Sequence, residues 1–212
     1  MKNKKGLFIT FEGCEGCGKS TQSELLKQYL QNKGFTVILT REPGGNIVAE
    51  KIRNILLNPN LKITSLCELF LYEASRNQHL CNIIKTNLQK GNIVICDRFT
   101  DSTIAYQGYG RKLNIKTIEQ LNNIATEKIK PDLTIYLDII PKTGIERAKI
   151  KKDFTDGDRI ERETLKFHNN VRKGFLELAK KYPKRIKKIK TQKTIEQTQK
   201  LIIKEIEKCL KI

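Results

Sequence analysis

Short apolar runs alternate with longer amphipathic stretches along this chain. Residues 7–11, 35–40, 93–96, 133–137 and the more polar 186–189 are β-type runs, each short enough for a buried strand of a parallel sheet. The stretches between them read as helices. After Ser20 the apolar positions Leu25, Leu26, Tyr29 and Leu30 fall on one helical face, and Gly34 stands where a C-terminal cap belongs. Strand, helix and strand thus follow within about 30 residues, the span of a βαβ unit. Repetition of that unit predicts an α/β fold around a five-stranded parallel sheet with helices on both faces. Such sheets bind ligands beyond the carboxyl ends of their strands. Residues 149–159 break the pattern: they are polar, charged and carry Gly157, between one helical run starting near Pro141 and another over 160–181. That segment is expected to form a short lid over the site.

At 212 residues and about 150 per domain, one compact domain over 1–212 is the expectation, since no repeat or low-complexity linker divides the chain. No uncharged apolar stretch nears the roughly 18 residues that a membrane span needs. The basic start leads into an apolar run broken by Glu12, so a secretory leader is not expected. Charge is more telling. Lys plus Arg number 41 against 23 Asp plus Glu, a net +18, which favours anionic partners such as nucleotides, RNA or phosphates. Lys184, Arg185, Lys187, Lys188 and Lys190 cluster without interleaved aromatics for base stacking, so a solvated surface is the expectation there and a nucleic-acid patch the alternative. Six cysteines lack the dense spacing of a disulfide framework, and a reducing cytoplasm fits them.

The sharpest chemistry lies between the first strand and the first helix. Gly13-Cys14-Glu15-Gly16-Cys17-Gly18-Lys19-Ser20 satisfies the phosphate-loop pattern G-x-x-x-x-G-K-[ST] in the context that pattern requires. Its glycines let backbone N–H groups turn inward as an anion nest, backed by the positive end of the following helix. Lys19 would reach the β and γ phosphates, and the Ser20 hydroxyl would ligate Mg²⁺. The third strand ends at Asp97-Arg98, an acid that can orient the metal's shell beside a cation that can clamp a phosphoryl group. Neither an N-K-x-D nor a D-x-x-G motif is present, which disfavours a GTPase, and a motor or transport ATPase would need a larger chain. A small phosphotransferase remains.

These residues resemble the bacterial thymidylate kinases, P-loop nucleoside monophosphate kinases. The resemblance rests on Phe11-Glu12-Gly13, Arg41-Glu42-Pro43-Gly44-Gly45, Asp97-Arg98-Phe99 through Ser102 to Ala105-Tyr106-Gln107-Gly108, Pro131-Asp132-Leu133 and Asp158-Arg159-Ile160-Glu161. It implies a P-loop NTPase fold, Mg²⁺ dependence, a homodimer, and transfer of the γ-phosphoryl group of ATP to dTMP, giving dTDP and ADP. It also implies roles. Residues 13–20, with Thr21, would bind ATP; Lys19, Arg98, Asp97 and Glu15 would be catalytic, with Ser20 and Asp97 at the metal. Glu15 resembles the acid near the acceptor sugar. Arg76 and Gln107 match the thymine-reading positions, Arg98 and Arg53 those that hold the acceptor phosphate, and Tyr106 the ring under the deoxyribose.

Two departures stand out. Tyr72 occupies the position where the family usually stacks Phe on thymine, and its hydroxyl needs a partner or water. The lid offers Lys149, Lys151 and Lys152 where relatives often carry Arg, a point charge in place of a planar fork; Arg147 or Arg159 is the alternative source. Cys14 and Cys17 lie among inward N–H groups beside Lys19, which predicts lowered thiol pKa values and reactivity, against a simple packing role. Rival readings are a kinase for dUMP or a deoxynucleoside, and a nucleic-acid-stimulated NTPase.

Overall fold

The structure, a computed structural model, describes residues 6–151 and 157–210. Five strands form one sheet in the order β2-β3-β1-β4-β5, with every neighbouring pair parallel. They are β1 (Leu7–Glu12), β2 (Val37–Arg41), β3 (Ile93–Asp97), β4 (Leu133–Asp138) and β5 (Ile186–Lys190). The second begins two residues later than its apolar run. The chain crosses from β3 on one side of β1 to β4 on the other, so the crevice for a ligand opens at the carboxyl end of β1.

The pleat sorts β1 and β4 into two faces. Ile9, Phe11, Ile135 and Leu137 pack against Leu26 and Leu30 of α1 (Lys19–Asn32) and Ile202 and Ile206 of α9 (Ile195–Leu210). Each such buried side chain contributes roughly 1.5–3 kcal/mol. Gly34 closes α1 as predicted, with φ +83 and the Phe35 N–H returning to the Leu30 carbonyl at 3.1 Å. On the opposite face Tyr106, Tyr136, Phe167, Val171 and Phe175 form a second core, while Phe8, Val94, Leu80 and Phe99 form a third.

The remaining helices are α2 (Ile47–Leu57), α3 (Ser65–His79), α4 (Lys85–Gln89), α5 (Thr100–Thr103), α6 (Ile115–Ala125), α7 (Pro141–Lys151) and α8 (Leu165–Lys181). Two π-helical stretches, Leu80–Ile84 and Ile104–Gly110, continue α3 and α5. α8 starts later than the helical run expected from 160. The Asp158 side chain accepts from the N–H groups of Ile160 and Glu161 and holds a turn there. Thr164 then caps the helix by accepting from Phe167 N at 3.2 Å, a cap that contributes about 1 kcal/mol. α7 runs three residues into the expected lid. Of the lid lysines, Lys149 is exposed on α7, whereas Lys152 and the side chain of Lys151 lie outside the described residues. Among the described residues no helix is long and apolar enough to cross a membrane. Arg185 leaves the lysine-rich stretch for the interior, pairing with buried Asp101 at 2.6 Å.

Candidate active site

Everything after β1 is set by the phosphate loop. Gly16 and Gly18 adopt φ +64 and +95, a region L side chains rarely enter. A Cβ on Gly16 would lie 1.9 Å from the carbonyl oxygen of Gly144 in α7, so only glycine fits between the loop and that helix. Lys19 is buried, its Nζ donating to the carbonyls of Gly13 at 3.2 Å and Cys14 at 3.1 Å. The Ser20 hydroxyl donates to Asp97 Oδ2 at 2.7 Å, which joins the start of α1 to the end of β3. Ser20 and Asp97 thus form an all-oxygen set, exposed at Ser20, and hard oxygen donors beside a phosphate loop fit Mg²⁺.

One cleft of ≈ 890 Å³ brings together Glu15, Lys19, Ser20, Arg53, Tyr72, Arg76, Asp97, Arg98, Tyr106 and Gln107. A second groove runs along the loop past Thr21 and is lined by Arg147 and residues 191–195. Glu15, Lys19 and Ser20 line both, and Arg98, in the first cleft, is bonded to Glu15. Its Nη2 donates to both Glu15 oxygens at 2.9 Å, its Nη1 to the Gly13 carbonyl at 3.0 Å, and its guanidinium lies 4.9 Å from the Tyr106 ring centroid. The Tyr106 hydroxyl donates to Glu15 Oε1 at 2.9 Å. Burial opposes ionisation of Glu15, yet Arg98, Lys19 and that hydroxyl hold its carboxyl down at about 2.

Arg76 is the largest fully buried side chain. Its Nε donates to Glu42 at 2.8 Å, its Nη1 to Glu73, Thr103 and Asn122, and its Nη2 to the Phe99 carbonyl at 3.2 Å. Gln107 Nε2 donates to Glu68 Oε1 at 2.8 Å, and the same buried carboxylate pairs with Arg111 and Arg159. Arg159 also donates to the Leu56 carbonyl at 2.8 Å, which commits it to this frame. Arg53 donates to the Pro43 carbonyl at 2.8 Å. Tyr72 lines the cleft, half-buried; burial, then Glu68, push its phenol pKa up.

Sequence reasoning missed the carboxylates Glu42, Glu68 and Glu73, and Thr103 and Asn122 with them. Glu42 carried a signal, since it lies in the Arg-Glu-Pro-Gly-Gly string, and so did Glu73, three residues before Arg76 on one helix. For Cys14 and Cys17 the structure favours the packing role over the lowered thiol pKa values. Both are 3% exposed, and burial pushes Cys14 up to about 12 and raises Cys17 too, outweighing Lys19 and Arg98. Among the described residues one group of three or more His, Cys, Asp or Glu side chains could ligate a metal, Glu42, His79 and Cys96. Its atoms are already engaged: Glu42 holds Arg76 and His79, His79 Nε2 bonds Thr40 at 2.7 Å, and Cys96 donates to the Arg98 carbonyl at 3.1 Å.

A phosphate loop opening into a second cleft lined with paired arginines defines a P-loop phosphotransferase that brings two anionic substrates together. A family model described as thymidylate kinase matches residues 11–202. The thymidylate kinase of Citrifermentans bemidjiense is 50% identical over 184 residues, 85% of this chain and 82% of that protein. That of Synechococcus sp. (strain JA-3-3Ab) is 48% identical over 183 residues, 86% of each. The crystal structure of thymidylate kinase from Ehrlichia chaffeensis superposes with a TM-score of 0.78 at 39% identity, covering 95% of this chain and 98% of that one. The chain belongs to the thymidylate kinase family.

Proposed function

We propose that the groove along the phosphate loop holds ATP, that the 890 Å³ cleft holds dTMP, and that Arg98 serves the phosphates between them. The chain is a dTMP kinase: a phosphate oxygen of dTMP attacks the γ phosphorus of ATP, the bond to the bridging oxygen breaks, and dTDP and ADP leave. The observation that carries this assignment of sites is the position of Arg98. It is bonded to the loop through the Gly13 carbonyl while lining the cleft that contains Tyr72, Arg76 and Gln107.

Phosphoryl transfer asks the protein mainly for position and charge. Residues 13–21 cradle the triphosphate, and Lys19 neutralises its transferring end. Ser20 and Asp97 would hold Mg²⁺, which supplies charge neutralisation at the phosphates when bound. Arg53 joins Arg98 at the acceptor phosphate. Glu15 stays ionised and fixes Arg98 and Tyr106 on the sugar side, where Tyr106 leaves no room for a 2′-hydroxyl. Tyr72 stacks on thymine. Arg76 donates to a base carbonyl, and Gln107, its amide nitrogen bound to Glu68, turns its carbonyl oxygen to the imide N–H.

Arg147 lines the donor groove and joins Lys149 as the lid's source of charge for the γ phosphate. One kinase domain spans 1–212, its lid about 149–159. A homodimer would cover Leu66 and Phe70 of α3, about half exposed at 49% and 52%. The free thiols suit a reducing cytoplasm. A coupled assay for ADP release decides the central point: release that depends on dTMP is expected, and equal release without an acceptor, or stimulation by RNA, overturns it.

A further inference from the structure

Arg98 adopts φ +74, a backbone region that a non-glycine residue occupies only when its surroundings hold it there. Its own backbone N–H is tied to the Phe11 carbonyl at 2.9 Å. Beyond it the chain enters α5 through Phe99, an N-cap whose side chain cannot bond the helix's first N–H groups. Glu12, 0% exposed at the end of β1, takes over that task from another strand. Its Oε1 accepts from Phe99 N at 2.8 Å and Ser102 N at 3.3 Å, and its Oε2 from the Ser102 hydroxyl at 2.5 Å. The same Ser102 oxygen accepts from Arg98 Nη1 at 3.2 Å. An unbroken run of hydrogen bonds therefore joins Glu12 to the guanidinium, and the turn bearing Arg98 is gripped on both sides. Glu12 is not among the residues lining the cleft, so it has no direct part in substrate binding.

We infer that Glu12 is a positioning residue, which holds the strained Arg98 turn and the Ser102 hydroxyl so that the guanidinium is aimed before substrate arrives. Burial, reinforced by Asp101, pushes the Glu12 carboxyl up to about 8. Glutamine keeps the side-chain oxygen that receives both backbone N–H groups and a polar atom within reach of the Ser102 hydroxyl. Glu15 differs in kind: it touches Arg98 directly and is ionised.

The inference rests on the assignment of Arg98 to the phosphates, and the test separates the two. Glu12→Ala is expected to lower kcat about tenfold with KM for ATP within twofold of wild type, and Glu12→Gln to recover kcat to within about threefold. Added to Arg98→Ala, Glu12→Ala should slow the enzyme less than twofold further, because the residue it positions is gone. If Glu12→Ala does not fold, Glu12→Asp, one methylene too short to reach both amides, replaces it. Substrate-free protein labelled with ¹⁵N-arginine supplies a readout without catalysis: the Arg98 Nε–H resonance should shift and broaden in the Ala or Asp variant and not in Gln. Wild-type kcat in the Ala or Asp variant, a full multiplicative loss on top of Arg98→Ala, or an unchanged resonance overturns the positioning role. Should Arg98→Ala itself keep wild-type turnover, the assignment of Arg98 fails instead, and the resonance alone decides for or against Glu12.

Discussion

The two sides of the active site treat positive charge in opposite ways. On the acceptor side each central arginine has a carboxylate: Arg76 has Glu42 and Glu73, Arg98 has Glu15, and Arg111 and Arg159 share Glu68. On the donor side Lys19 meets backbone carbonyl oxygens and, among the described residues, no carboxylate. The difference follows from what each side must do. A base edge is selected by donors fixed in place, and buried carboxylates fix a guanidinium at the cost of its field. In the proposed assignment a triphosphate needs that field, and the loop sets no carboxylate in direct contact with its cation, within a chain that already carries +18.

The largest effect should come from breaking the acceptor frame. Glu42→Ala strips a carboxylate from buried Arg76 and His79 and should destabilise the fold by about 3–5 kcal/mol, as removal of one partner of a buried pair does; urea unfolding measures it. A loss under 1 kcal/mol would mean that the frame is not held by charge. Lys19→Ala should instead leave the unfolding midpoint nearly unchanged and lower kcat/KM by about a hundredfold or more, roughly 2.7 kcal/mol. Stability and activity would thus fail on opposite sides of the cleft.

Selectivity sharpens the same contrast at smaller cost. In an acceptor panel the order should be dTMP, then dUMP, with UMP and dCMP poor. Loss of the thymine methyl contributes only about 1–3 kcal/mol, so dUMP is weakened and not excluded. Equal use of UMP and dTMP would show that Tyr106 does not close the sugar pocket.

The remaining effect is one of pH. Because the Glu15 carboxyl is held at about 2 in the fold, below its ordinary 4.5, its pairing stabilises fully above pH 4.5 and is lost as pH falls towards 2. Urea midpoints of wild type and Glu15→Gln should therefore differ by a constant amount above pH 5 and converge in acid. A gap that persists at pH 2 would assign the difference to packing.

Much of this was legible from residue order. The phosphate loop, the strand that ends in Asp97-Arg98 and the helix closed by Gly34 are local patterns, and local patterns survive into the fold. The carboxylate frame was only partly legible: Glu73 stands three residues before Arg76 on α3, but Glu42 and Glu68 reach their arginines only after β2, α3 and the π-helical stretch at 104–110 are packed together. The direction in which Cys14 and Cys17 shift was not legible: motif and helix dipole favour thiolates, whereas burial, which no spacing reveals, pushes both thiols up. The start of α8 moved because two side-chain bonds from Asp158 outcompeted a continuous apolar period.

The glycine at position 16 has a mechanical side. Its α-carbon lies against the backbone of Gly144 with no side chain between them, and a Cβ on Gly144 would in turn come within 2.3 Å of the Glu15 carbonyl. Phosphate loop and α7 therefore meet as two bare backbones, without the rotatable padding that absorbs small displacements elsewhere in a protein. A shift of the loop by a few tenths of an ångström has no slack to enter and is handed to α7, so that this helix works like the short arm of a lever resting on the phosphate loop.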